Sequence, residues 1–590
     1  MKKIAIIGAG PYGLIALEQL VKQVPTTTEI KLIIFDPDGP GGKVWRKNQT
    51  DQVLMNTVMQ HVTLFSEDEG PNFAEWNQKE AKAYLKKADL SAEFLPELAL
   101  GANDYCQRRY YSVYQSWFFE QIKKTAPKNI QIELIQEKVI GLKVQADQVI
   151  VQTTDSFQFD DVILATGQSQ DELQKAEQEN QQFANAHGLF YQGPGNPADT
   201  DLTRLNPEGA ILIRGLGLSF FDYLALLVDH WNGSFIERNG HLIYQKTGKE
   251  QPVIVGSGRG IPYHARPNNQ KRPGEEAKPQ ILTPEFMEGF EGNVQSFLKL
   301  IRKEAELVYY QKKLKSVEKL DLAAFLTDYR LGESEDVLEE YKIPKAQRLD
   351  WQVLLDPAKD VEPEDFQTFI QTYLSKDIEA AEQGNQTGAI GSAIDTYKEL
   401  QDPWHWMLDQ QKFTPKDLFE EFFGTFDREY SFLTIGAPVL RQKQLLALAE
   451  AGIITFLAPQ MTVEKTDQQF IAYSKQKPAE SYQATNLIEA RLPATSLERT
   501  ENPLLIQMRE AGLLAPHNLF FEGENHFTGA LKVKRETHQV IDQENQVLQH
   551  IYSYGIPLEG LDWLTAASPR PKSSDRIFYL AKKIAQSILT

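Results

Sequence analysis

The sequence predicts an α/β protein with two strand, glycine-turn and helix units and a mainly helical insertion in the second. Three observations carry this. Lys3 to Ile7 is a short apolar run followed at once by Gly8-Ala9-Gly10-Pro11-Tyr12-Gly13. Ala210 to Arg214 is another, followed by Gly215-Leu216-Gly217-Leu218-Ser219-Phe220. Between 283 and 425 the strand signals vanish and helical spacing dominates.

A chain of 590 residues exceeds one ordinary core, and at about 150 residues per domain it should form about three or four units, fewer if they are large. A net charge of -19 argues against a nucleic-acid partner, because such surfaces neutralise phosphates with excess Lys and Arg. Cys106 is the only cysteine, which excludes intramolecular disulfides, a Cys-x-x-Cys redox pair and cysteine-based metal cages. No metal site is expected: His517, His526 and His538 are near in sequence but lack a carboxylate-histidine pattern. There is no Gly-x-Ser-x-Gly elbow either. The longest apolar window, 210–231, is interrupted by Arg214, Asp222 and Asp229, so no membrane span is expected. Lys2 and Lys3 before an apolar run resemble a secretory signal, but Gly8, Gly10, Pro11 and Gly13 break its core. A cytoplasmic protein is the expectation.

In the first unit, the β-branched run to Ile7 has the form of a strand buried on both faces of a parallel sheet. Leu14, Leu17, Leu20, Val21 and Val24 then recur at helical spacing. The first glycine permits a tight turn, the second lets a pyrophosphate approach the backbone, and the third lets the helix pack on the strand with its N-terminus facing the phosphates. Lys31 to Phe35 is a second strand ending in Asp36, placed to accept from an adenosine ribose. The Gly39-Pro40-Gly41-Gly42-Lys43-Val44-Trp45 stretch resembles that of flavoproteins with two dinucleotide domains and favours FAD, with Gly42 and Trp45 near the cofactor. Asp161 to Gly167 similarly resembles the Ala-Thr-Gly strand that closes the FAD half, ending at Gly167.

The second unit repeats the order, with Gly215, Gly217 and Ser219 in the turn and Phe221, Leu224, Leu227 and Val228 on the helix. Phe220 stands where the third glycine belongs, so this helix should not approach its strand as closely. Phe235 to Tyr244 reads as a hairpin about Asn239-Gly240, and Pro252 to Val255 as the true second strand. Arg259 beyond it can pair with a ribose 2′-phosphate and points to NADPH, with NADH the alternative.

These pieces, with Leu54-Met55-Asn56-Thr57, Arg108-x-x-Tyr111-x-x-Tyr114, the turn ending at Asp222, Ser257-x-Arg259-Gly260-x-Pro262 and Gly555-Ile556-Pro557-x-Glu559-Gly560, resemble an FAD/NAD(P)-binding flavoprotein family. That family includes flavin-dependent urate hydroxylase and an aspartate N-monooxygenase. The resemblance covers 1 to about 270 and about 430 to 565. It implies two Rossmann-like domains, Asn56 and Thr57 near the flavin, Arg108 positioning cofactor or substrate, and Gly555 to Gly560, Pro557 included, closing over the isoalloxazine. Gln107 and Ser112 depart from the family's usual Pro and Gly, which leaves the role of Arg108 open.

The expected organisation is an FAD-binding domain from 1–200 and 496–590, an NAD(P)-binding domain from 206–282 and 426–495, and a helical insertion at 283–425. Helix starts stand at Thr283-Pro284, Pro363-Glu364-Asp365 and Thr414-Pro415, and Val294, Phe297, Leu298, Ile301 and Val308 form one apolar stripe. Trp404-His405-Trp406 is core or pocket lining. Phe432 to Ile435 and Ile453 to Phe456 flank a helix, and 484–493 occupies the exit strand of the second domain. Function follows from the two sites: an FAD-dependent NAD(P)H monooxygenase of a small polar metabolite, with O2 or a small organic acceptor taking the electrons. An NAD(P)H oxidase or quinone reductase is one alternative, and a flavin-binding interaction protein another. No catalytic side chain is identified.

Overall fold

A computed structural model of the chain describes residues 1–66, 69–573 and 575–590. It divides into two compact units: Met1–Glu172 with Arg272–Gly274 and Pro493–Thr590, and Leu173–Lys271 with Glu275–Leu492.

The first unit is built on β1 (Lys2–Ile7), α1 (Pro11–Gln23) and β2 (Ile30–Phe35). β1 pairs in parallel with β2 on one side and with Asp161–Leu164 on the other. The six-stranded sheet runs Gln539–Ile541, Val547–Ser553, Asp161–Leu164, β1, β2, Ile130–Ile135, and only the first pair is antiparallel. Strand side chains alternate between faces. Ile4, Ile6, Leu32 and Ile34 face one core with α1 and the C-terminal helix Arg576–Leu589, while Ala5, Ile7, Ile33 and Phe35 face a second core. Burial on both sides is why the strand reads as an unbroken apolar run.

The second unit has a five-stranded parallel sheet in the order Ile454–Phe456, Val253–Gly256, Ile211–Arg214, Asn486–Glu489, Phe190–Gln192. Ser234–Arg238 and His241–Gln245 form the expected hairpin, with Asn239 and Gly240 at φ of 52° and 79° as its turn requires. The strand at 484–493 is present, beside Ile211–Arg214, but ends in the buried Glu489.

From Pro284–Glu288 to Asp427–Thr434 the described elements are helical. Thr283 caps the first, accepting from the Phe286 N–H, and Thr414 accepts from the Asp417 N–H. Along Val294–Lys313 the buried stripe runs through Phe297, Ile301 and Ala305 to Leu307, leaving Val308 only half-buried. Phe432 to Ile435 closes the helix Asp427–Thr434, and it and the strand Ile454–Phe456 flank the helix Val439–Glu450 as expected. Trp404 is core: it is 1% exposed and packs on Phe297, Phe422 and Phe426. Among the described residues no helix is long and apolar enough to cross a membrane, and no cluster of His, Cys, Asp and Glu could hold a metal.

Candidate active site

In the first unit the glycine turn is shaped from within. A Cβ on Gly8 would lie 2.0 Å from the Ala165 carbonyl oxygen, and one on Gly13 would lie 1.9 Å from that of Gly8. These two glycines let the turn, α1 and the strand Asp161–Leu164 close on one another. Gly10 is different: its Cβ would meet nothing nearer than the Gly41 carbonyl at 3.8 Å. Nothing in the protein demands a glycine there, so the missing side chain leaves room for a molecule outside it. Pro11 opens α1 at its first position, where a missing N–H costs nothing.

Asp36, at the end of β2, is 8% exposed. Its Oδ2 accepts the Ala9 N–H at 2.8 Å and its Oδ1 the Asp38 N–H at 2.9 Å. Burial pushes its carboxyl up to about 6, against the pull of those N–H groups. Gly42, at φ 61°, would carry a Cβ 3.2 Å from Asp36 Oδ2, and Gly41 donates to the Ala9 carbonyl at 2.8 Å. Turn, acid and Gly-Gly stretch are thus one cradle.

The helix Arg108–Thr125 supports it. Ser112 Oγ donates to the Pro40 carbonyl at 3.4 Å and would sit 3.0 Å from a Cβ on Gly41, so the serine braces the Gly-Gly stretch. Trp45 meets Tyr111 edge-on at 5.0 Å. Gln107 keeps φ at -60°, the value a proline holds, while its N–H serves Glu97. Arg108 ties the helix to the segment before it: its N–H donates to the Val53 carbonyl at 3.0 Å and its Nε to that of Leu54 at 3.1 Å. Asn56 and Thr57, 3.5 Å apart through their side-chain oxygens, follow directly. Gly555, at φ 92°, lies under Tyr12, whose ring a Cβ would meet at 2.9 Å. The Tyr12 hydroxyl donates to the Thr565 carbonyl at 2.5 Å. Gly167 and Pro557 line one cleft with Leu497 and Gly529. Sequence reasoning missed Ser112 as a brace, because its contact to Pro40 spans the unit.

In the second unit Gly215, Gly217, Ser219 and Arg259 line a cavity of about 1160 Å³. Gly215, at φ 114°, would place a Cβ 2.9 Å from the Ala490 carbonyl oxygen. Gly217 lies 3.3 Å, by the same measure, from the Tyr263 ring. Phe220, at the position that corresponds to Gly13, is fully buried, so this helix accommodates a side chain where the first turn closes backbone on backbone. The Arg259 guanidinium stacks 3.9 Å over Phe432, and burial lowers its proton affinity. Lys359, Asp356 and Arg428 from the helical segments complete the wall. Those helical residues carry no local motif and could not be read from the chain. Nor could Glu489, fully buried, which accepts from Arg214 through both oxygens.

The three histidines near one another in sequence have separate surroundings. His538 is buried against the Ser553 carbonyl, His526 stacks on Phe521, and His517 contacts Thr528.

Residues 5–169 match the FAD–NAD(P)-binding domain family. The chain is 31% identical over 633 residues to an L-aspartate N-monooxygenase (nitrosuccinate-forming) of Streptomyces davaonensis, covering 99% of this chain and 97% of that one. It is also 31% identical over 605 residues to a nitrosuccinic acid synthase of Aspergillus oryzae, covering 96% and 90%. Among solved structures, an ornithine hydroxylase from Pseudomonas aeruginosa aligns over 100% of this chain and 98% of its own, at TM-score 0.41 and 12% identity.

Proposed function

This chain belongs to the FAD- and NAD(P)-binding monooxygenase family of the nitrosuccinate-forming L-aspartate N-monooxygenases, and on that premise we propose that it oxidises the amino nitrogen of L-aspartate to give nitrosuccinate. It is an FAD-dependent, NAD(P)H-using monooxygenase of a small polar metabolite. The observation that carries the finer reading is similarity over nearly the whole length, not in the glycine turns alone.

The residues of the first cradle fit FAD. Gly10 leaves the space a pyrophosphate needs at the N-terminus of α1, and the buried Asp36 carboxylate suits adenosine ribose hydroxyls. In the proposal Gly8, Gly13, Gly42, Trp45 and Arg108 shape that cradle, while Asn56, Thr57, Gly167, Gly555, Pro557 and the Tyr12 ring border the ring system. Gly215, Gly217, Ser219 and Arg259 hold NADPH, with Arg259 on the 2′-phosphate. When bound, FAD supplies hydride acceptance from the nicotinamide and oxygen transfer from O2, chemistry that belongs to the cofactor. The chain's own residues orient the partners and exclude water. A cytoplasmic location is part of the proposal.

The test is aerobic turnover of the FAD-loaded protein with NADPH and L-aspartate, with products identified by mass spectrometry. Nitrosuccinate formed with aspartate-dependent NADPH consumption supports the reading. Hydrogen peroxide as the sole product, unaffected by aspartate, rejects it in favour of an oxidase.

A further inference from the structure

His264 follows Arg259 by five residues and is 4% exposed. Its Nδ1 lies 2.7 Å from Asp377 Oδ1, on the helix Phe366–Glu382, and its Nε2 lies 2.8 Å from the Leu354 carbonyl oxygen. The second Asp377 oxygen accepts the Ala265 N–H at 2.6 Å. A carbonyl and an ionised carboxylate only accept, so the ring satisfies both only with a proton on each nitrogen. The geometry therefore calls for a buried imidazolium.

That ring is joined to the cavity wall. Phe432 packs edge-on against His264 at 4.9 Å, and Arg259 stacks over the same Phe432 ring at 3.9 Å. The His264 N–H donates to the Phe432 carbonyl at 3.2 Å, and the Tyr263 N–H donates to the carbonyl of Leu216, within the glycine turn, at 3.3 Å. Leu355 and Asp356, directly after Leu354, line the cavity with Arg259 and Tyr263. The imidazole thus pins three parts of one wall: the loop carrying Arg259, the end of Trp351–Leu355, and Phe432.

We propose that His264 is a positioning residue for the nicotinamide cofactor: doubly protonated between Asp377 and Leu354, it holds Arg259 and Tyr263 against the glycine turn, and losing a proton loosens that wall. This rests on the reading of the cavity as the NAD(P)H site. The groups facing the ring are Asp377 and Tyr373 from Phe366–Glu382, Arg259 from its own loop, the Leu354 carbonyl, and the uncharged Phe432. Burial opposes the charge and so does Arg259, but Asp377 and the two hydrogen bonds outweigh them and hold the imidazole above its usual range. Its folded value lies above the unfolded one, so the clamp is complete below about pH 6.5. It is lost as pH rises through the folded value.

The experiment is calorimetric titration of 2′,5′-ADP into FAD-loaded protein between pH 7 and 9.5, above the second phosphate pKa of about 6. The dissociation constant should rise about tenfold for the wild type, a change of about 1.4 kcal/mol. His264→Gln should bind weakly at all these pH values, with no such rise. In steady state the effect should fall on KM for NADPH more than on kcat. Long-range NMR of 15N-histidine protein should show both His264 ring nitrogens protonated at pH 7.5. A dissociation constant independent of pH in the wild type, a His264→Gln profile that tracks it, or a bare ring nitrogen at pH 7.5 would each overturn the proposal. Should His264→Gln not fold, Asp377→Asn and the wild-type spectrum decide. Flavin reduction by NADPH with a flat pH profile rejects only the clamp, whereas no reduction and no 2′,5′-ADP binding at any pH rejects the cavity assignment as well.

Discussion

The Asp36 carboxylate is bonded to the glycine turn beside it: Oδ2 accepts the Ala9 N–H at 2.8 Å from the end of the neighbouring strand. One group thereby holds the turn and presents an acceptor to whatever lies over Gly10. Asp36→Asn should weaken FAD binding by about 10- to 100-fold, the loss expected for hydrogen bonds to a charged acceptor. Flavin fluorescence titration measures it.

The same carboxyl makes apoprotein stability depend on pH. Its folded value, about 6, lies above its ordinary one, so its contribution is full below about pH 3.9. The contribution is lost as pH rises through 6, and at most about 3 kcal/mol is involved. Thermal midpoints of the apoprotein between pH 4 and 7 should therefore fall further for the wild type than for Asp36→Asn.

Three glycines of one turn should respond differently to alanine. Gly8→Ala and Gly13→Ala drive a Cβ into backbone oxygens at 2.0 Å and 1.9 Å and should prevent folding of the unit. Gly10, at φ -71° with nothing nearer than 3.8 Å, accepts a Cβ without protein strain. Gly10→Ala should keep the apoprotein midpoint within about 2 °C, a surface-like change of under about 0.5 kcal/mol, yet lose FAD. Calorimetry and the flavin spectrum separate the two effects.

Gly555 lies under Tyr12 at φ 92°. Gly555→Ala combines left-handed strain with a ring contact and should cost about 1–3 kcal/mol. Tyr12→Phe removes only the bond to the Thr565 carbonyl and should cost about 1 kcal/mol. Denaturant midpoints on the two apoproteins test this order.

Arg259→Ala should raise KM for NADPH about 10- to 100-fold while leaving KM for NADH within about twofold, because only NADPH carries the 2′-phosphate. Arg259→Lys should not rescue it, since an ammonium lacks the planar face that stacks on Phe432. Steady-state kinetics with both cofactors measure the contrast.

Local signals determined much of this protein. β1, α1 and β2, the Asn239-Gly240 hairpin and the helix caps at Thr283 and Thr414 are set by neighbours within a few residues, so spacing and turn chemistry announce them. The two glycine turns and Asp36 were legible for the same reason. What only the tertiary structure decided are partnerships across long stretches of chain: Ser112 bracing Pro40 and Gly41, Gly555 beneath Tyr12, Phe432 carrying Arg259, and Asp377 beside His264 at a separation of 113 residues. A buried polar or charged group must find a partner wherever the fold supplies one. Periodicity shows that such a residue is buried, but the partner depends on which strands and helices become neighbours.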